Sequence, residues 1–267
     1  MSLKVSHMEI DHKRPFTIGR IPLELTQQSL QAVRSDILSW FKNNEALVSV
    51  SNEKKCKIDT KKDCDLFSQF VGESSSDTKR LITDLNSPLL RRQILSSIWG
   101  RIISNRRDRY WLELMLLGLF NWDFFETRLE LSVMGRNSSI VPHTDSIGKI
   151  FSGLIYLPTE EQRHTSDTGN LGTSFWDSDI KNFENRHLTT ERERFNFYRR
   201  AKLITQTPFD NSHMWFFIRN TVSWHSVEEL TSLEADEKRV SINYNILLRG
   251  SVLKRLTRAC ANKLTRK

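Results

Sequence analysis

The chain has 267 residues, of which 38% are hydrophobic and 10% aromatic, and its 40 Lys and Arg against 32 Asp and Glu give a net charge of +8. The 15 Phe and 7 Trp exclude an intrinsically disordered chain, because so much apolar surface can offset the entropy that folding costs. The 10 Gly and 6 Pro exclude collagen-like and low-complexity chains. A chain of this length forms one large domain or two small ones.

Most of the positive excess lies in the C-terminal tail. Beyond Leu248 the sequence contains no acidic residue and these basic ones: Arg249, Lys254, Arg255, Arg258, Lys263, Arg266 and Lys267. A nucleic-acid-binding surface is one interpretation, because such side chains neutralise phosphates. We favour a solvated helix face, since the tail is peripheral and has no aromatic side chain on which a base could stack.

The cysteines and the N-terminus indicate an intracellular protein. The chain has an odd number of cysteines, which disfavours a secreted disulfide framework: Cys56, Cys64 and Cys260. Their spacing does not fit a zinc finger. The first ten residues lack the apolar run of a secretion signal, and no stretch approaches the roughly 18 apolar residues of a membrane span. The sequence therefore predicts a cytoplasmic protein that does not enter a membrane.

The first half of the sequence has the apolar spacing of helices. Apolar residues recur at intervals of three and four over residues 26–41, which predicts an amphipathic helix. Residues 43–84 are polar and indicate a loop with short pieces of structure. Ser87-Pro88 predicts the start of a second helix, because a capping residue is followed there by proline. The apolar residues 109–120 predict a third, buried helix.

After Phe125 the apolar period changes to two, with Leu129, Leu131 and Val133 on one face of a predicted strand. Further strands are predicted over residues 151–158, 214–218 and 239–248. A charged excursion, residues 159–202, lies between the predicted strands 151–158 and 214–218. Helices followed by strands predict an α+β protein, in which a helical layer packs on an antiparallel β core.

His143 and Asp145, in the segment V-P-H-T-D-S, are the first candidate site residues. In an extended chain, side chains two residues apart point to the same side, so an imidazole and a carboxylate are offered together. With a histidine from another strand they would form the two-histidine, one-carboxylate set of non-haem Fe(II) sites. We prefer His225 to His213 as that histidine, because His213 precedes its predicted strand. A surface turn is the alternative interpretation of the first pair.

Arg239 and Ser241 are the second group of candidates. By the period of two they share one face of the last predicted strand with Asn243. A guanidinium on such a face can hold a dicarboxylate through two charge-assisted hydrogen bonds, and a serine hydroxyl can add a third.

With these residues the sequence resembles the Fe(II)/2-oxoglutarate-dependent dioxygenases, and among them the prolyl 4-hydroxylase-like branch. The resemblance covers residues 128–248. It depends on one glycine and five short motifs: Gly135, H-T-D at 143–145, S-G-L-I-Y-L-P ending at Pro158, L-G-T-S-F-W at 171–176, W-H-S-V around His225 and R-V-S at 239–241. It implies a double-stranded β-helix, or jelly-roll. The expected division is then a helical support region over 1–125, the β-helix core over 126–248 and the basic tail over 249–267.

The resemblance also implies a chemistry. It implies three ligands of Fe(II): His143, Asp145 and His225. It implies three side chains that bind the cosubstrate 2-oxoglutarate: Arg239, Ser241 and Tyr156. Val133 stands where several relatives have a further cosubstrate-binding tyrosine, so that contact is missing here. The implied reaction uses O2 to hydroxylate a C–H bond of a substrate, with succinate and CO2 as co-products.

The identity of the substrate stays open at this point, because in this family the loops around the barrel mouth select it. Nucleic acid is disfavoured, since members that repair alkylated bases have a second arginine where this chain has Asn245. A peptidyl side chain such as proline and a small metabolite both fit, with residues 159–202 as the expected substrate lid. The alternative function is a non-catalytic jelly-roll that binds a ligand or nucleic acid.

Several neighbouring residues have ordinary structural interpretations. For Lys149, contact with an acidic metal ligand is one interpretation, and a solvated lysine is the favoured one. His164 and His187 are expected to be exposed. Three tryptophans are expected to be core residues, because Trp usually supplies buried area: Trp176, Trp215 and Trp224.

Overall fold

The computed structural model describes residues 2–50, 55–104, 124–146, 148–164, 171–180 and 187–249. The helix predicted over residues 109–120 and the basic tail after Arg249 lie outside the described residues.

Among the described residues, four helices precede the β core, and the predicted starts of two of them are confirmed. The four are α1 (Gln27–Asn43), α2 (Cys64–Glu73), α3 (Ser76–Leu85) and α4 (Pro88–Ser104). The side chain of Thr26 caps α1 by accepting a hydrogen bond from the backbone N–H of Ser29, and α4 begins at Pro88 as predicted. The described residues between 43 and 84 contain more regular structure than predicted, because the many exposed charges of α3 obscure a buried stripe that includes Leu81 and Leu85.

The N-terminal region also contributes strands to the protein. They are β1 (Ser2–Leu3), β2 (Glu9–His12), β3 (Ile18–Glu24), β4 (Ser49–Val50) and β5 (Lys55–Asp59). Pairing between β4 and β5 and between β1, β2 and β3 extends both edges of the main sheet.

Eight later strands form the β core, and all are antiparallel to their neighbours. They are β6 (Phe125–Met134), β7 (Ile140–His143), β8 (Lys149–Tyr156), β9 (Ser174–Asp177), β10 (Lys202–Gln206), β11 (His213–Ile218), β12 (Trp224–Val227) and β13 (Arg239–Leu248). Two further helices, α5 (Glu160–His164) and α6 (Glu191–Arg200), flank β9 in sequence.

These eight strands divide between two sheets as a jelly-roll requires. The larger sheet has the order β1-β3-β11-β8-β13-β6-β5-β4, and the smaller has the order β10-β9-β12-β7. From β6 to β13 the chain alternates between the sheets at each step except between β9 and β10. The predicted α+β class with a jelly-roll core is therefore confirmed.

The two faces of the larger sheet differ sharply in polarity. On β13, Val240, Ile242 and Ile246 belong to the buried core that the sheet shares with the helices. The alternate residues, among them Ser241 and Asn245, line a cavity on the opposite face. The period of two thus separates the structural face from the candidate functional face.

Arg34 of α1 ties the helical layer to the strands beneath the cavity. Its guanidinium donates hydrogen bonds to the carbonyl oxygen of Leu157 and, at 2.8 Å, to that of Lys238. Burial lowers the pKa of Arg34 to about 10, so the side chain stays charged at neutral pH. These carbonyls adjoin Tyr156 and Arg239, so α1 helps to position two of the candidate site residues.

Within the described part of the chain, we find no helix that combines the length and apolar content needed to cross a bilayer.

Candidate active site

The three candidate metal ligands converge between the two sheets. His225 of β12 lies directly opposite His143 of β7 in the register of the smaller sheet, and Asp145 follows β7 after one residue. One ligand atom from each of the three side chains lies within 4.8 Å of the other two. His213, the alternative histidine, lies at the start of β11, where its Nδ1 contacts the hydroxyl of Ser212 at 2.7 Å. It does not belong to this cluster.

Both histidines of the cluster are held in one tautomer by backbone carbonyls. Nδ1 of His143 lies 2.9 Å from the carbonyl oxygen of Val141, and Nδ1 of His225 lies 3.0 Å from that of Ser223. Each Nδ1–H donates to its carbonyl, which leaves the Nε2 lone pair for a metal ion. Burial, together with the ring of His225, holds the pKa of His143 well below its usual value, and burial also lowers the pKa of His225. Both rings are therefore neutral at physiological pH, the form that binds metals.

Asp145 is held by donors on both of its carboxylate oxygens. Lys149 Nζ donates to Oδ1 at 2.7 Å, and Ser152 Oγ donates to Oδ2 at 2.5 Å. Arg219 also donates to the backbone carbonyl of Asp145, at 3.0 Å. Burial acts to raise the pKa of Asp145, but Lys149 and the two imidazoles lower it far below its usual range, so the group is an anion. The expectation that Lys149 is solvated is wrong, because its ammonium pairs with this buried carboxylate.

Aromatic rings enclose the cluster. The ring of His187 stacks on that of His143, with 4.3 Å between centroids and 11° between planes. Phe217 packs on His225, with centroids 4.5 Å apart. The expectation that His187 is exposed is wrong, since it is half-buried against a cluster residue. The side chain of His164 lies outside the described residues.

Arg239 lies in the same cavity and is 3% exposed. Its Nε donates to the carbonyl oxygen of Leu171 at 2.6 Å, and its guanidinium lies over the rings of Tyr156, at 5.1 Å, and Phe209, at 5.6 Å. Among the described residues, no carboxylate pairs with it. Burial lowers the pKa of Arg239, because desolvation disfavours its charge.

Gly172 permits the close approach that supplies the Leu171 carbonyl. A Cβ atom on Gly172 would lie 1.7 Å from the carbonyl oxygen of Thr207, so no other residue fits without moving backbone.

Tyr156 and Ser241 lie beside Arg239. The Tyr156 hydroxyl is 2.8 Å from the hydroxyls of both Thr173 and Thr207, and the side chain is fully buried. Ser241 is paired with Tyr156 across β13 and β8, and it lines the cavity with Thr173. Val133 faces the helical layer, so its side chain does not reach this site.

The cavity that joins these groups has a volume of about 320 Å³ and contains both the His-Asp-His cluster and Arg239. Sequence reasoning identified the cluster and Arg239. The contact of Lys149 with an acidic ligand was only the less favoured interpretation, and the contact of Arg219 with Asp145 was not predicted, because neither residue has a distinctive sequence pattern. The inward position of Ser152 follows from the sequence, because the period of two on β8 places it on the inner face together with Tyr156.

The charged excursion contributes a strand to the β core, while its role as a substrate lid stays a prediction. Its middle forms β9, an integral strand of the smaller sheet in which Phe175 lies opposite His225. The alternation at S-F-W-D is only four residues long, too short to stand out among the surrounding charges. The expectation of core tryptophans is confirmed for Trp215 and Trp224, while Trp176 is half-buried and donates to Ser226.

No family model matches the chain, and no curated protein matches it. Solved structures that resemble it include a Pseudomonas putida prolyl-4-hydroxylase, with 12% identity, 88% of this chain and 94% of that chain covered, and a TM-score of 0.48. Another is the non-heme alpha ketoglutarate dependent carbocyclase SnoK from nogalamycin biosynthesis. The identity is 12%, the match covers 92% of this chain and 87% of that chain, and the TM-score is 0.49. A third is HygX from Streptomyces hygroscopicus with nickel and 2-oxoglutarate bound. The identity is 8%, the match covers 88% of this chain and 84% of that chain, and the TM-score is 0.37. At these identities and TM-scores, the chemistry of this chain has to be read from its own residues.

Proposed function

We propose that this protein is an Fe(II)- and 2-oxoglutarate-dependent oxygenase that hydroxylates a C–H bond of its substrate, with succinate and CO2 as co-products. The observation that carries the proposal is the presence, in one cavity, of the His-Asp-His cluster and the buried Arg239. These two features complement the two ends of 2-oxoglutarate. Its keto acid end is a metal chelator, and its far carboxylate is a partner for a buried cation.

His143, Asp145 and His225 are the metal ligands in this proposal. Two neutral imidazoles and one ionised carboxylate form a mixed nitrogen and oxygen set, which suits Fe(II) and leaves coordination positions for other ligands. Bound Fe(II) would supply the centre at which O2 is activated for oxidation of a C–H bond. Lys149 and Ser152 keep the Asp145 carboxylate ionised and oriented, and the carbonyls behind the histidines keep both Nε2 atoms aimed into the cavity.

Arg239, Ser241 and Tyr156 bind the far carboxylate of 2-oxoglutarate in this proposal. The guanidinium lacks a carboxylate partner among the described residues, and a bound carboxylate would offset the cost of its burial. Ser241 adds a hydroxyl donor from the same face of β13. Tyr156 supports the guanidinium with its ring and contributes a hydroxyl, which the two threonines orient.

Apolar side chains form part of the cavity wall beside the proposed metal ligands. Leu154, Phe217 and Val227 line the cavity beside the polar groups, and His187 covers one face of His143. Apolar side chains next to the proposed metal ligands strengthen the electrostatic interactions there and help to protect reactive species from side reactions.

The test is an anaerobic titration of the metal-free protein with Fe(II) and 2-oxoglutarate, followed by visible absorption. We expect a weak charge-transfer band from the chelated cosubstrate and, after O2 is added, release of succinate even without substrate. His143→Ala should abolish both signals. His213→Ala, which removes a histidine outside the cluster, is the matched control and should retain both.

A band that persists in His143→Ala, or the absence of a band in the wild type, would contradict the assignment of the metal ligands. Arg239→Gln tests the other end of the cosubstrate. It should weaken 2-oxoglutarate binding by about 2–5 kcal/mol, as expected when one partner of a buried charge pair is removed. Unchanged affinity would show that another cation holds the carboxylate.

A further inference from the structure

The cavity continues sideways from the His-Asp-His cluster across the larger sheet toward β5. Ser241 of β13 is paired with Ser132 of β6, and Ser132 is paired in turn with Lys57 of β5, so the three residues lie side by side in register. All three line the cavity. With neighbouring strands about 4.8 Å apart, Lys57 lies roughly 10 Å across the sheet from the strand that carries Arg239.

Positive charge exceeds negative charge along this cavity. Its described lining contains two carboxylates, Glu130 and Asp145, and these basic side chains, of which Arg128 pairs with Asp59 outside the lining: Lys55, Lys57, Lys62, Arg128, Lys149 and Arg239. Bound Fe(II) and 2-oxoglutarate would carry equal and opposite formal charges, so they would leave the excess in place.

Two of these basic side chains lie on β5. Lys55 and Lys57 both contact the carboxylate of Glu130, at 2.6 and 3.5 Å. Burial acts to raise the pKa of Glu130, but these two lysines lower it far below its usual value. Lys57 is the more exposed of the two lysines, with 36% of its side chain accessible against 12% for Lys55.

Ser132 provides a second, independent sign of a ligand. The residue is 1% exposed and lines the cavity, yet its hydroxyl has no hydrogen-bond partner among the described residues. Burying a hydroxyl without a partner costs free energy, so an unpaired group of this kind in a cavity wall indicates a place where a polar molecule binds. Its neighbours in the sheet are Lys57 on one side and Ser241 on the other.

We propose that Lys57 and Ser132 bind an oxyanion group of the substrate, with Lys57 as its charge partner and Ser132 as a hydrogen-bond donor. The inference rests on the proposed function, since it assigns the group to the molecule that is oxidised at the His-Asp-His cluster. The substrate is then an anionic small molecule that carries a phosphate or a carboxylate away from the oxidised carbon. An unmodified prolyl side chain carries no such charge and leaves Lys57 and Ser132 unused.

Calorimetric titration of the full chain with inorganic phosphate, and separately with malonate, tests the inference without iron or 2-oxoglutarate. Lys57→Gln should weaken binding of the preferred anion about tenfold, the effect of losing one charge-assisted hydrogen bond. Ser132→Ala should weaken it about fivefold. The preferred anion distinguishes a phosphorylated substrate from a carboxylic acid.

Lys79→Gln is the matched control, because it removes one positive charge from an exposed position on α3 outside the cavity lining. It should leave the affinity for the anion unchanged. Equal affinities in Lys57→Gln and Lys79→Gln would overturn the inference, as would a loss confined to Arg239→Gln. Ser132→Ala removes a hydroxyl that bonds to no described residue, so its thermal unfolding should match the wild type. Anion binding at Lys57 without cosubstrate binding would point instead to failure of the proposed function.

Discussion

At the scale of single residues, the carboxylate of Asp145 is the group on which the site most depends. Its two oxygens accept hydrogen bonds from Lys149 and Ser152, and its backbone carbonyl accepts one from Arg219. Three donors, two on β8 and one directly after β11, therefore fix both the rotamer and the backbone of one proposed metal ligand. Such outer contacts tune metal sites nearly as strongly as the ligands themselves.

Ser152→Ala should weaken Fe(II) binding about tenfold, because the carboxylate loses a donor that orients it. The measurement is an anaerobic metal titration of wild-type and variant protein. Ser74→Ala is the control, since Ser74 is also a buried serine but donates to the carbonyl of Phe70 within the helical layer. If the two variants bind Fe(II) equally, Ser152 does not orient the ligand.

The sequence predicted those site residues whose placement follows from strand parity. The period of two put His143 with Asp145, and Arg239 with Ser241, on common faces. Contacts such as Lys149 with Asp145 and His187 with His143 could not be predicted in this way. They depend on how separate segments meet, and a lone lysine or histidine in a charged segment is usually solvated.

At the scale of elements, the helices act as a platform for the cavity floor, and Asp36 holds two of them together. The carboxylate of this α1 residue accepts hydrogen bonds from the Ser75 backbone N–H at 2.9 Å and from the Ser75 and Thr78 hydroxyls at 2.6 Å. Burial acts to raise the pKa of Asp36, but these hydrogen bonds lower it below its usual value of 3.8. The folded state therefore favours the ionised form.

Asp36→Asn should lower the free energy of unfolding by about 1–2 kcal/mol at pH 7, because hydrogen bonds to a charged acceptor are stronger than those to a neutral one. A lowered pKa contributes stability that is complete above pH 3.8 and is lost as the pH falls through the folded-state value. The difference between wild type and variant should thus shrink below about pH 4. Urea unfolding at several pH values measures it, with the exposed Asp236→Asn as the control. A difference independent of pH would refute the role of the charge.

The elements most visible in the sequence were those with one apolar and one polar face, such as α1 and β13. β5 was missed because it has only five residues, K-C-K-I-D, and its cavity face carries Lys55 and Lys57. A charged face on a short strand resembles a loop in sequence. The charged face of β5 thus masks the pattern that would have revealed the strand.

At the scale of the whole molecule, one hydrophobic core joins the helical layer to the larger sheet. It includes Ile37 of α1, Leu81 of α3, Leu131 of β6 and Ile242 of β13, each at most 1% exposed. Because the same sheet carries the candidate site on its other face, loss of the helical layer should also release the strands that position Arg239. The helices and the β core should therefore unfold as one cooperative unit.

Ile37→Ala tests this coupling from the side of the helices. Emptying a fully buried position should cost about 2–5 kcal/mol, whereas Leu89→Ala, at a leucine 65% exposed on α4, should cost far less. Native-state hydrogen exchange then reports which amides lose protection. In a single cooperative unit, the amides of β8 and β13 lose as much protection in Ile37→Ala as those of α1. Loss confined to α1 would mean that the helical layer opens independently, and the site would then keep its geometry without that layer.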